Sequence, residues 1–313
     1  MKTATREAYG AFLEAYGEEN DKIVVLDADL SKSTMTYAFS KKYPDRFFNM
    51  GIAEQNLMGV AAGLAAAGKT AVASTFAVFA AGRAFEIIRN SICYPKLNVK
   101  ICATHAGLTV GEDGASHQSV EDLAIMRALP NMVVLNPADG NSTKALLKAA
   151  YEYDGPVYVR LGRAKVSQIY HENVSLQIGK ANRLKDGGDV TIIATGIMVD
   201  QALLAREILA NRDIEARVID MHTIKPIDAD AVILAAKDTG ALVTVEEHSI
   251  IGGLGSAVAE VLSENFPVPL RRVGLKDVFG ESGKPEELLV KYGLTAEAIV
   301  AAALEAMTLK NRK

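Results

Sequence analysis

The stretch TAVASTFAVFAAGRAFEIIRNSICYPKLNVKICAT, residues 70–104, places two β-branched runs, 70–75 and 98–104, around a segment of helical length. Strands joined this way form a crossover unit, and the right-handed preference of such crossovers makes them parallel and buried on both faces. The same alternation recurs outward from this unit. IVVL at 23–26, RFFNM at 46–50, MVVL at 132–135 and PVYVRL at 156–161 belong with it. A second series follows, with VTIIATG at 190–196, EARVIDM at 215–221, ALVTVEE at 241–247 and PLRRVG at 269–274. Helical patterns near 198–211, 228–238, 253–265 and 295–308 separate and follow these runs. The pattern loosens between the two series. The fold class is therefore α/β, with two doubly wound domains: residues 1–165, a linker over 166–188 and a smaller domain over 189–313.

The chain has 313 residues, 49% of them hydrophobic and 23% charged, a composition that excludes disordered and fibrous classes. A formal net charge of -4 lacks the broad basic footprint of a nucleic-acid binder, so any anionic substrate needs a local pocket. No segment is long and apolar enough to cross a membrane, which takes roughly 18 residues. The first twenty residues carry no signal-peptide core, and a cytoplasmic location is expected. Cys93 and Cys102 form no metal pattern and favour a reduced compartment.

Ligands in doubly wound sheets sit beyond the carboxyl ends of the strands. Three loops there carry polar clusters: 27–33 with Asp27, Asp29 and Ser33, 49–56 with Glu54, and 104–118 with His105, Glu112, Asp113 and His117. Glu54 stands at a strand-to-helix junction, where backbone N–H groups favour a negative charge, and on position alone a dipole partner would explain it. Phe76 and Phe79, three apart, share a helical face and could simply be core. A glycine-bracketed loop with two acids and a His has no packing reason to exist.

Taken in order, ThrAlaThrArg, AspAlaAspLeu, GlyIleAlaGluGln, SerThrPheAlaValPhe, AlaThrHis and GlyGluAspGlyAlaSerHisGln resemble the C-terminal half of transketolase along nearly the whole chain. The resemblance implies a pyrimidine-binding domain for thiamine diphosphate, followed by a transketolase C-terminal-like domain. It implies that Glu54 bonds ring nitrogen N1′ of the cofactor, that Phe79 stacks on the aminopyrimidine with Phe76 beside it, and that Asp29 lies on the thiazolium side. Asp113 and His117 would contact the sugar's reacting end, with His117 catalytic alongside Glu54. Arg6, Ser33, His105 and Arg163 match a sugar-phosphate clamp, two guanidinium forks with neutral donors. The family's third aromatic is replaced by Gly82, and Phe85 is the nearest substitute.

The GlyAspGly segment with which full-length members bind the diphosphate and Mg2+ (or Ca2+) is missing from this sequence. The chain also begins where the second half of a fused enzyme would begin. A split enzyme is expected, in which an N-terminal subunit supplies the diphosphate and metal site. Self-association through the first domain, aided by the Ala- and Gly-rich helix at 56–67, would give an α2β2 assembly acting on sugars or sugar phosphates in the pentose phosphate pathway. Competing readings are a deoxyxylulose-phosphate-synthase-like or 2-oxo acid dehydrogenase β-like subunit, and, from another class, a non-catalytic partner. Glu112 and His105 favour transketolase over the first two, and joint retention of Glu54, Asp113 and His117 argues against the last. In the second domain, the Gly252–Gly255 turn is a weak dinucleotide motif and the domain is expected to be structural.

Overall fold

The computed structural model describes residues 2–311. Numbered along the chain, the strands of the first half are β1 (Lys2–Ala4), β2 (Ile23–Asp27), β3 (Phe47–Asn49), β4 (Thr70–Phe76), β5 (Val99–Thr104), β6 (Val133–Leu135), β7 (Val157–Arg160) and β8 (Lys165–Ser167). Those of the second half are β9 (Asn182–Lys185), β10 (Val190–Ala194), β11 (Ala216–Asp220), β12 (Thr223–Lys225), β13 (Leu242–Ser249) and β14 (Leu270–Leu275). Every residue of β2, β4, β5 and β10 is buried, which is why these strands read as continuous apolar runs instead of alternating ones.

A seven-stranded sheet has the order β12-β6-β7-β5-β4-β2-β3, and a five-stranded one the order β14-β13-β10-β11-β9. All pairings inside them are parallel except at one edge of each, where β12 and β9 run antiparallel. These two strands were not legible as a series. β9 lies within the stretch read as linker and alternates half-buried with exposed residues. β12 belongs by sequence to the second half, yet it pairs with β6 and closes the first sheet. A short ribbon of β1 on β8 ties the N-terminus to the end of the first domain.

Two apolar clusters fill the interior, and each contains residues of both sheets: Val72 and Ile192 in one, Ile101 and Ile193 in the other. The halves thus share their core. Strand ends in the first sheet are level, with Phe76 opposite Thr104 and Asp27 opposite Asn49. The loops after β7, β5, β4, β2 and β3 therefore emerge side by side.

Candidate active site

Glu54 is the first residue of the helix Glu54–Ala66 and is 1% exposed. Leu57, Met58 and Ala61 bury one side of this helix and fix where its start lies. Burying Leu57 or Met58 is worth about 1.5–3 kcal/mol each. The unsatisfied amides of the helix start favour the carboxylate. Its side-chain partner is Arg83, at 2.8 Å. Arg83 ends the π-helical turn Phe79–Arg83, a widened turn of the kind common at functional sites, and its guanidinium lies 4.6 Å from the Phe79 ring centroid. Phe79 is stacked nearly parallel to Phe76, 6.0 Å away at 11°. Phe76 in turn stacks on His105 at 3.8 Å, and His117 presents an edge to Phe79 at 5.4 Å. Glu54, the two Phe rings and the two His rings form one wall.

A second group adjoins it. Arg6, in the first turn of the helix Thr5–Glu19, lies 3.1 Å from His105 Nε2 and donates to the Ser33 carbonyl at 2.9 Å. An arginine only donates, so Nε2 accepts and the neutral ring carries its proton on Nδ1, 2.9 Å from Thr104 Oγ1. Burial, and then the charges of Arg6 and Arg163, push His105 down to about 3. Ser33 is placed by Asp27, which accepts from the Leu30 amide and from the Thr34 and Thr36 hydroxyls at 2.6, 2.6 and 3.0 Å. Burial raises the Asp27 carboxyl, against those three bonds. Arg163 donates to the Val110 carbonyl at 2.7 Å and lies 3.4 Å from Asp113 and 4.0 Å from Glu112.

The structure thus brings Glu54, Phe76, Phe79, His105 and His117 together, with Arg6 joined to them through His105 and Ser33 through Arg6. Asp113 and Arg163 meet each other at the outer side. Asp29 stands apart from the aromatic wall. Its backbone has a positive φ of 62° and its carboxylate takes the Asn49 amide at 2.8 Å. Arg83 and Asn49 are missing from the sequence reading. The lone charge in AVFAAGRAF was the signal for Arg83, but only the π turn carries it over Phe79. A Cβ on Gly82 would meet nothing within 4 Å, so no side chain closes the wall there, and Phe85 packs instead against the apolar interior. Among the described residues, no group of three His, Cys, Asp or Glu could hold a metal ion.

Such an arrangement can hold a flat, nitrogen-rich ring against a buried acid, and an anion beside it. Known families match the chain along most of its length. The transketolase pyrimidine-binding domain family matches residues 1–168, and the transketolase C-terminal domain family matches 179–299. A putative transketolase C-terminal section from Methanocaldococcus jannaschii is 56% identical over 305 residues, covering 96% of each chain. The 6-deoxy-6-sulfo-D-fructose transketolase subunit of a Clostridium species is 48% identical, over 98% of this chain and 95% of the relative. A solved split gene transketolase, in the form of an inactive beta4 tetramer, superposes with a TM-score of 0.93 at 62% identity, covering 98% of this chain and 99% of that one. With both domains matched and relatives of the same extent, this chain belongs to the transketolase family as a C-terminal subunit.

Proposed function

We propose that the chain is the C-terminal subunit of a two-chain, thiamine diphosphate-dependent transketolase moving a two-carbon ketol unit from a ketose or its phosphate to an aldose or its phosphate. The observation that carries this reading is Glu54, buried at a helix start and paired with a flat guanidinium lying on Phe79. Those are the two surfaces an aminopyrimidine needs, an acid for N1′ and a face for stacking, so the residues present fit the group. Bound thiamine diphosphate supplies the nucleophilic carbon. Glu54 would bond N1′ and hold a proton there, and Phe76 with Phe79 would orient the ring. His117 and Asp113 hold the sugar's hydroxyl end, while Asp29 lies on the thiazolium side. Arg6 and Arg163, with neutral His105 and Ser33, clamp the terminal anion.

Two relatives support a terminal anion as the shared feature: one is named for a sulfo-sugar, and another, 41% identical, for apulose 4-phosphate. The diphosphate and its Mg2+ or Ca2+ are assigned to a separate N-terminal subunit, and the assembly to α2β2. The exposed, small-residue side of the helix Glu54–Ala66, including Gly59 and Gly63 with nothing near them, supports close self-association. The test mixes this chain with a separately produced N-terminal subunit, thiamine diphosphate and Mg2+, and assays ketose donors against aldose acceptors. Transfer is expected only from the mixture. Turnover by the homogeneous chain alone would end this reading.

A further inference from the structure

Behind the aromatic wall, Asp122, Arg160, Glu246, Glu247 and His248 are buried where the two sheets meet. Most of them have evident structural work. Glu246 accepts from the Leu254 and Gly255 amides at 2.7 and 2.8 Å, capping the helix Leu254–Asn265, and Arg160 pairs with Asp122 at 2.9 Å. Glu247 is different. It lies on β13 of the second sheet, but its carboxylate reaches into the first domain and accepts the Thr109 amide at 2.6 Å. The next residue, Val110, offers the carbonyl that anchors Arg163, and Asp113 follows in the same loop. Gly107 turns around the carboxylate with a positive φ of 82°, and a Cβ there would collide with it. Gln118 adds a second tie, donating to the Leu108, Gly111 and Glu281 carbonyls at 3.2, 3.2 and 2.9 Å.

The geometry points to Glu247 as a positioning residue for anionic sugar recognition: from the second domain it fixes the Gly107–Gly114 loop, and with it Asp113 and the anchor of Arg163. The loop's clamping stands on the contacts alone, and only the identity of the substrate rests on the function proposed above. An ionised carboxylate accepts more strongly than a carboxylic acid, so the hold depends on protonation. The groups facing it are Arg160 on β7, Asp122 on its helix and the Thr109 amide, with Glu246 and His248 flanking it on β13. Burial raises Glu247 to about 7, while Arg160 and the Thr109 amide oppose the rise. Lowering the pH through 7 therefore loosens the loop.

The experiment has two arms. In hydrogen exchange on the full chain, Glu247→Ala speeds exchange over 107–114 roughly tenfold and leaves β4 unchanged, while Glu247→Gln, a neutral acceptor like the protonated acid, gives an intermediate rate. In the complex with the N-terminal subunit, Glu247→Ala raises KM for a ketose phosphate far more than for the free ketose, with kcat nearly unchanged. Wild-type KM for the phosphate rises as pH falls through 7, and Glu247→Gln lacks that component, while titration of the phosphate itself affects both proteins alike. Unaltered exchange over 107–114 in Glu247→Ala, or identical KM profiles for wild type and Glu247→Gln, would overturn the assignment. If Glu247→Ala does not fold, the Gln comparison decides. If the complex transfers no ketol unit, the functional reading fails, and the exchange arm still decides the loop.

Discussion

A carboxylate that has left water is unfavourable unless its charge is paired or used, and Glu54 has Arg83 and a helix start to hold it. If it also holds the N1′ proton, Glu54→Ala in the assembled enzyme lowers kcat by about three orders of magnitude, checked by steady-state turnover at saturating cofactor. A near-normal rate would remove that role. Arg163 acts on another quantity. Arg163→Ala is expected to raise KM for phosphorylated sugars much more than for free ones, and an equal effect on both would make it structural. Glu54 and Phe79 were legible only through the family resemblance, since each has a packing explanation on position alone, whereas Asp113 and His117 stand in a glycine-bracketed loop that packing does not explain. Arg83 was not legible, since an arginine among alanines reads as a solvated helix residue until the widened turn puts it on a ring.

At the scale of elements, the parallel strands were legible wherever burial on both faces forced an unbroken apolar run. β9 and β12 escaped because each is short, sits at a sheet edge and owes its conformation to pairing with β11 or β6. A sequence shows no partner. The loop from Gly111 to Gln118 was legible in the sequence as a candidate site but not as part of a clamped segment, because Glu247 lies 138 residues from Thr109. Gly107→Ala places a methyl group against that carboxylate in a backbone region costing an alanine about 1–3 kcal/mol. It is expected to lower Tm and to weaken anionic substrates together. Differential scanning calorimetry and KM on the same protein check this, and an unchanged Tm would refute the close packing.

At the scale of the whole molecule, the two halves share their cores, and a charge buried in one is felt by both. Burial raises Asp220 to about 7, against the hydrogen bond from Tyr170, and its other oxygen has no partner. An acid raised in this way binds more protons folded than unfolded, so stability falls as pH climbs from the ordinary carboxylate range towards 7 and levels off above it. Each tenfold difference in proton affinity between the folded and unfolded chain is worth about 1.4 kcal/mol. Asp220→Asn should therefore flatten the fall in Tm between about pH 4 and pH 7, and a slope equal to wild type would show that Asp220 does not titrate there. Because both apolar clusters span both sheets, calorimetry should find one cooperative transition, whereas two separated transitions would refute the shared core. The placement of β12 has a practical corollary for anyone cutting or recombining this gene. A fragment stopping near residue 188 leaves β6 with an open seam that invites strand borrowing from a neighbouring molecule. Chimaeras should carry Thr223–Lys225 as a passenger whose true home is the other domain.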